Sequence, residues 1–470
     1  MVFSSAYFIF LFLPVVLAVY FLTPRKYRNL ILLISSLWFY TYGEKLLVVV
    51  MVFSTIVDFY AAQLIESGRR KLGLRISIAT NLTTLGVFKY FNFGIDNLQA
   101  ITTQLGFSID TLGSIPEILL PMGISFYVFQ TMSYTIDVYR NQVPANRNFI
   151  EFATYVTMFP QLVAGPIVRY VDIKDYITDR SVDLKNFTLG LERFILGLAK
   201  KLILANTFAG VADTIFMHSD DGISTYMAWL GVAAYSIQIY FDFSGYSDMA
   251  IGLGRMLGFK IPENFDYPFI SRSITEFWRR WHISLSTWFR DYLYIPLGGN
   301  RVSKTRMYIN LVTVFAVTGL WHGAAWTFIL WGLLHGIFIL MEKIFLGKFL
   351  NRLPNFIGHA YLLFVIFFSW ALFRSDDITR AWGYLDKLFI YNPGIDAIQD
   401  YIKLLHFDRY TLFLGIVAIL FSMPFYPWLQ RNLKGQFMVL PRYGFILVLF
   451  IICVSYIASG GYNPFIYFRF

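Results

Sequence analysis

Apolar runs long enough to cross about 30 Å of hydrocarbon recur along the entire sequence. That recurrence predicts an all-α polytopic membrane protein. Composition agrees, with 57% hydrophobic and 14% charged residues, against roughly 25% charged in a soluble domain. Spans are expected at 6–23, 28–42, 45–65, 74–93, 118–138, 194–217, 226–254, 307–322, 324–341, 357–373, 410–430 and 441–459. No soluble domain of ordinary size fits between them, and repeats and Gly/Ser linkers are absent. Residues 1–470 therefore read as one membrane domain. The segment 149–170 is apolar but interrupted by Pro160, Gly165 and Pro166, which suggests a re-entrant or broken element. Residues 255–306 are too polar to span and are expected at the cytoplasmic surface.

Loop charges give an orientation. Arg25, Lys26 and Arg28, then Arg69, Arg70 and Lys71, place two loops inside. The stretch from Phe91 to Val138 has acids but no Lys or Arg and reads as outside. The net charge of +10 sits mainly in such short loops, so it reads as topology rather than nucleic-acid binding. Residues 6–22 lack a basic leader and a cleavage site, which favours a first membrane helix over a cleaved signal. The single cysteine, Cys453, excludes an internal disulfide and a cysteine metal site and reads as apolar filler.

Between Leu311 and Leu340 the ionisable side chains are His322 and His335. An imidazole at membrane depth is expensive without partners, so it marks a candidate functional site. Histidine also moves protons near neutral pH. His322 lies in Trp321-His322-Gly323, with Trp326 and Trp331 following. His335, His218, His359 and His406 form no metal-ligand pattern, and no metal is expected.

Residues 274–292 predict one amphipathic helix with Trp278, Trp281, Trp288 and Phe289 on one face. Ser273 and Glu276 suggest a capping box. His282 falls at the edge of the apolar face. It reads either as an interfacial side chain or as a second polar group aimed at the cavity of His322. Arg279, Arg280 and Arg290 suit a phosphorylated donor, and equally suit membrane anchoring. Asp242, Ser244, Ser247 and Asp248 are polar residues in or near a span, suited to interhelical hydrogen bonds or to lining a cavity. Gly252-Leu253-Gly254 suggests close helix packing rather than a nucleotide loop.

Several segments resemble bacterial membrane-bound O-acyltransferases of the alginate O-acetyltransferase type. They are LPMGISFYVFQTMSYTIDVYR (120–140), MFPQLVAGPIVR (158–169), IQIYFDFSGYSDMAIGLGRMLGF (237–259) and NFDYPFISRSITEFWRRWHISLSTWFRDYLYIPLGGNR (264–301). TGLWHGAAWTFILWGLLHG (318–336) and NPFIYFRF (463–470) complete the series. The resemblance implies 11–12 transmembrane helices around a funnel in the bacterial cytoplasmic membrane. It implies His322 as the essential histidine, acting as general base, and His282 as its partner, orienting the acceptor or stabilising an oxyanion. Trp281, Trp321, Trp326, Trp331, Asp242 and Ser244 would line the tunnel. Acetyl-CoA would be the donor, with no bound cofactor. An exported SGNH-type protein or a polysaccharide such as alginate would be the acceptor. D-alanyl transfer to teichoic acid is the alternative chemistry, and polymer or lipid transport the non-enzyme one.

Overall fold

The computed structural model describes residues 1–107, 115–219, 222–393, 408–432 and 439–465. Among these residues the chain is helical and no strand occurs. His406 and residues 466–470 of the last motif lie outside the described residues. The helices group into two compact units. One comprises Met1–Val2, Tyr7–Asp183 and Leu257–Ile261, the other Phe3–Ala6, Leu184–Met256 and Pro262–Phe470.

The first unit contains α1 (Leu13–Leu22), α2 (Arg28–Glu44), α3 (Val48–Glu66), α4 (Arg70–Leu85), α5 (Phe91–Gln104), α6 (Ile124–Tyr139), α7 (Phe149–Thr157), α8 (Phe159–Leu162) and α9 (Tyr170–Thr178). The broken character expected for 149–170 is present. Asn148 caps α7 by accepting from the N–H groups of Ile150 and Glu151, α7 stops at Met158, and residues 163–169 are non-helical and largely buried. Between α3, α4 and α6 a polar cluster is buried, in which Asn81 donates to Asp58 at 2.8 Å and accepts from Ser54 and Thr131.

The second unit contains α10 (Leu184–Ala199), α11 (Asn206–Met217), α12 (Thr225–Met256), α13 (Ile274–Arg280), α14 (Ile283–Phe289), α15 (Lys304–His322), α16 (Trp326–Met341), α17 (Gly347–Leu350), α18 (Asn355–Arg374), α19 (Ile378–Phe389), α20 (Arg409–Phe421), α21 (Phe425–Asn432) and α22 (Val439–Ala458). Five helical runs among the described residues are long and apolar enough to cross a membrane: Arg25–Glu66, Leu184–Met217, Trp326–Leu350, Asn355–Arg374 and Leu440–Ala458. α19 was not among the expected spans. It is amphipathic, burying Ala381, Tyr384, Leu385 and Leu388.

Small residues set the helix crossings. A Cβ on Gly252 of α12 would stand 2.6 Å from the Gly190 carbonyl oxygen of α10, which is the close packing that Gly252-Leu253-Gly254 suggested. At the crossing of α15 and α16, a Cβ on Gly319 would lie 2.2 Å from the Phe328 oxygen, and one on Gly332 would lie 2.3 Å from the Phe315 oxygen. Neither backbone atom can yield cheaply. Gly332→Ala is therefore expected to destabilise the protein by about 1–3 kcal/mol, read as a lower unfolding temperature in detergent. Gly210→Ala on α11 is the control, because its Cβ meets nothing within 4 Å. It should leave the midpoint unchanged or raise it slightly.

The expected single helix over 274–292 does not form. The chain makes two seven-residue helices, α13 and α14, followed by a π-helical turn at Arg290–Tyr294. The break falls at Trp281 and His282, with His282 in the left-handed region at φ 44°. A neighbouring segment takes the backbone groups that a continuous helix would use. Asp266 N–H donates to Arg280 O at 2.9 Å, and Ile283 N–H donates to Asn264 O at 3.0 Å. The helical phase that placed His282 at the edge of an apolar face is lost there. The Ser273 cap is present, accepting from Glu276 N–H at 3.0 Å.

Candidate active site

α15 ends on His322, and Gly323, Ala324 and Ala325 separate it from α16. The reversal brings α16 back along α15. His322 is buried at 5% exposure. Its ring meets Trp321, Trp331 and Phe373 at centroid distances of 5.0, 5.0 and 5.4 Å. His282 is fully buried. Its ring packs edge-on to Phe243 of α12 at 4.6 Å and lies 6.1 Å from Trp321 and 6.5 Å from His322. The two histidines are about 40 residues apart in sequence yet share one aromatic enclosure. Of the two readings open for His282, the interfacial one is excluded by its burial.

His282 Nδ1 is 3.2 Å from Asn264 Oδ1, and Nε2 has no hydrogen-bond partner among the described residues. Burial pushes the His282 imidazole down to about 3, because a charged ring loses its hydration there. It is therefore neutral at physiological pH.

The sequence pattern assigned no site role to Trp278, His335, Phe373 or Trp370. Trp278 Nε1–H donates to His335 Nδ1 at 3.2 Å. Trp331 bridges the two α15–α16 histidines, 4.9 Å from His335 on its other side. Phe373 of α18 closes over His322, and Trp370 stacks on Trp331 at 6.1 Å. The Trp331–His335 spacing of four residues carried the signal for His335, since those positions share a helix face. The break at 323–325 hid its relation to His322.

The other expected site residues divide. Trp281 is buried, and its ring stacks on Phe277 at 5.3 Å and packs against Trp370 at 5.3 Å. Trp326 stands half-exposed at the start of α16. Ser244 is buried on α12, and its hydroxyl has no hydrogen-bond partner among the described residues. Asp242 is buried and ion-paired with Lys201 at 2.7 Å, and Lys201 also donates to the Pro464 carbonyl. The interhelical reading of Asp242 fits this pair. Asp248 is likewise held by Arg193 at 2.6 Å and Lys200 at 2.6 Å.

Two clefts flank α13 and α14. The first, about 410 Å³, is lined by Trp278, Arg279, Leu285, Thr287, Phe289 and Arg290 among others. The second, about 630 Å³, is more polar and includes Arg272, Arg279, Glu342, Lys343, Asn351 and Asn355. Arg279 lines both. Arg280 is bound by Glu276 at 3.1 Å and Asp266 at 3.0 Å, and Arg290 by Asp291 at 2.7 Å. Glu342 fixes the start of α13, accepting from Ile274 N–H at 2.6 Å and Thr275 N–H at 2.9 Å. No group of residues suited to a metal ion occurs among the described residues.

Residues 139–373 match the sequence profile of the membrane-bound O-acyltransferase family. The chain is 43% identical over 424 residues to a protein of Azotobacter vinelandii named probable alginate O-acetylase AlgI, covering 89% of this chain and 84% of that one. It is 35% identical over 420 residues to the peptidoglycan O-acetyltransferase of Helicobacter pylori, covering 81% and 78%. Likeness to the teichoic acid D-alanyltransferase of Streptococcus thermophilus is 34% over 255 residues, covering 51% and 60%. The profile match includes His282, His322 and His335, and the chain belongs to the membrane-bound O-acyltransferase family of enzymes.

Proposed function

We propose that this multi-pass membrane protein transfers an acetyl group from cytosolic acetyl-CoA to a hydroxyl on the far side of the bacterial cytoplasmic membrane. The final acceptor is an exported polysaccharide of the alginate type, reached directly or through an exported SGNH-type partner protein. The observation that carries the reading is the burial of His322 and His282 in one aromatic enclosure. In the transfer, the acceptor oxygen bonds to the acetyl carbon and the carbon–sulfur bond breaks. His322 takes the hydroxyl proton as general base and passes it to the departing thiolate. Trp321, Trp331 and Phe373 limit water access, so hydrolysis of the thioester is suppressed. Likeness to O-acetylating relatives over most of their length favours acetyl over D-alanyl transfer, where the alignment covers only about half of this chain.

The donor's phosphates sit in the polar cleft, with Arg279 as their principal contact. Arg280 and Arg290 are already satisfied by carboxylates. No ion pair of Arg279 occurs among the described residues. Trp278 lines the adjoining apolar cleft and bonds His335, which connects that cleft to the histidine enclosure.

Reconstituted protein should consume acetyl-CoA and leave a D-alanyl-loaded carrier protein untouched. Consumption of the carrier thioester alone would overturn the acetyl reading. Arg279→Ala should raise the KM for acetyl-CoA by about 10-fold or more, the worth of a charge-assisted hydrogen bond, with kcat within about twofold. An unchanged KM would remove Arg279 from the donor site.

A further inference from the structure

Asn264 lies in the non-helical stretch after α12 and is fully buried. Its amide oxygen accepts from the Ser284 backbone N–H at 3.2 Å and from Ser284 Oγ at 2.8 Å. Its amide nitrogen donates to Ser247 Oγ at 3.3 Å. A backbone N–H can only donate, so the oxygen, not the nitrogen, must face α14. The orientation of the amide therefore follows from its partners and not from the similar size of its two ends.

That same oxygen is the partner of His282 Nδ1 at 3.2 Å. A carbonyl oxygen cannot donate, and the Ser284 hydroxyl, 3.5 Å from Nδ1, gives its proton to the same oxygen at 2.8 Å, so Nδ1 carries the proton. In a neutral imidazole the other nitrogen is then bare. The backbone holds the ring in place for this contact, with His282 at φ 44° and Ile283 N–H bonded to the Asn264 carbonyl. His335 has the opposite arrangement, because its Nδ1 receives the Trp278 N–H.

We propose that Asn264 is a positioning residue of the acyl-transfer site, holding the His282 proton on Nδ1 and leaving Nε2 as a bare acceptor. The assignment rests on the reading of His282 and His322 as the transfer site. It selects between the two roles expected for His282. A bare Nε2 receives a hydrogen bond and orients the group that donates it. It has no proton to give to an oxyanion.

The test begins with the tautomer itself. Protein carrying 15N-histidine, in lipid bilayers near pH 7.5, should show for His282 a signal pair with Nδ1 protonated and Nε2 unprotonated. His282→Gln identifies that pair among the six histidines. An Nε2-protonated His282 in the wild type overturns the proposal. This reading needs no substrate, so it stands apart from any failure to turn over acetyl-CoA. Asn264→Asp keeps an acceptor oxygen and should keep the Nδ1–H signature, with kcat within about 10-fold of wild type. Asn264→Leu should lose the signature and lower kcat by about 100-fold or more, with the KM for acetyl-CoA within about twofold. A folded Asn264→Leu protein with wild-type kcat also overturns it. If the leucine variant does not fold, the wild-type spectrum and the aspartate variant decide.

Discussion

His322→Ala is expected to lower acyl-transfer turnover by about 10²- to 10⁴-fold, the range lost with a general base. The proton of the acceptor hydroxyl must leave as its oxygen bonds to the acetyl carbon. In the enclosure of Trp321, Trp331 and Phe373 there is little bulk water to receive it. The alanine also leaves a cavity in a packed layer, and that costs some stability. His322→Gln separates the two effects, because it preserves much of the volume but cannot take a proton at neutral pH. Both variants should lose turnover alike, while the glutamine variant keeps the wild-type unfolding midpoint. Activity retained by His322→Gln would remove the base role from this residue.

Lys201→Met is expected to have the largest effect on stability. Lys201 and Asp242 have side chains only 3% and 2% exposed and pair at 2.7 Å. Removing the cation strands a carboxylate in a low-dielectric interior, at a cost of about 3–5 kcal/mol. Lys201 also holds the Pro464 carbonyl, so the segment before the C-terminus should become more sensitive to protease. Replacing both partners removes the stranded charge as well. Lys201→Met combined with Asp242→Leu should therefore regain much of the lost stability. Unfolding midpoints of the single and double variants in one detergent check this. Equal loss in both would mean that the pair's charges are not what matters at this site.

Much of the architecture was legible because hydrophobic length and small-residue spacing are local properties. The spans at 226–254 and 357–373 fall within two residues of α12 and α18, and Gly252 announced its own crossing. His322 stood out as an imidazole between two apolar runs. His282 was singled out, but the periodicity used to place it does not exist past Arg280. The helix is broken by hydrogen bonds from residues 264–266, a tertiary effect absent from any helical pattern. For the same reason Asn264 carried no signal, since its importance comes from three partners gathered by folding. Lys201 was hidden beside Lys200 inside the span expected at 194–217, because sequence spacing does not show which acid each lysine meets. Only the packing of the π-helical segment Lys200–Ala205, which continues α10, against α12 shows that Lys200 meets Asp248 and Lys201 meets Asp242.

Acetyl transfer through His322 is measured as label passing from radiolabelled acetyl-CoA, with purified protein in proteoliposomes and a hydroxyl-bearing polymer and the exported partner supplied outside. Wild type, His322→Gln and His282→Gln are compared at equal folded concentration. Wild type should place base-labile ester label on the outer acceptor, and His322→Gln at least about 100-fold less. Equal labelling by wild type and His322→Gln would contradict transfer through His322.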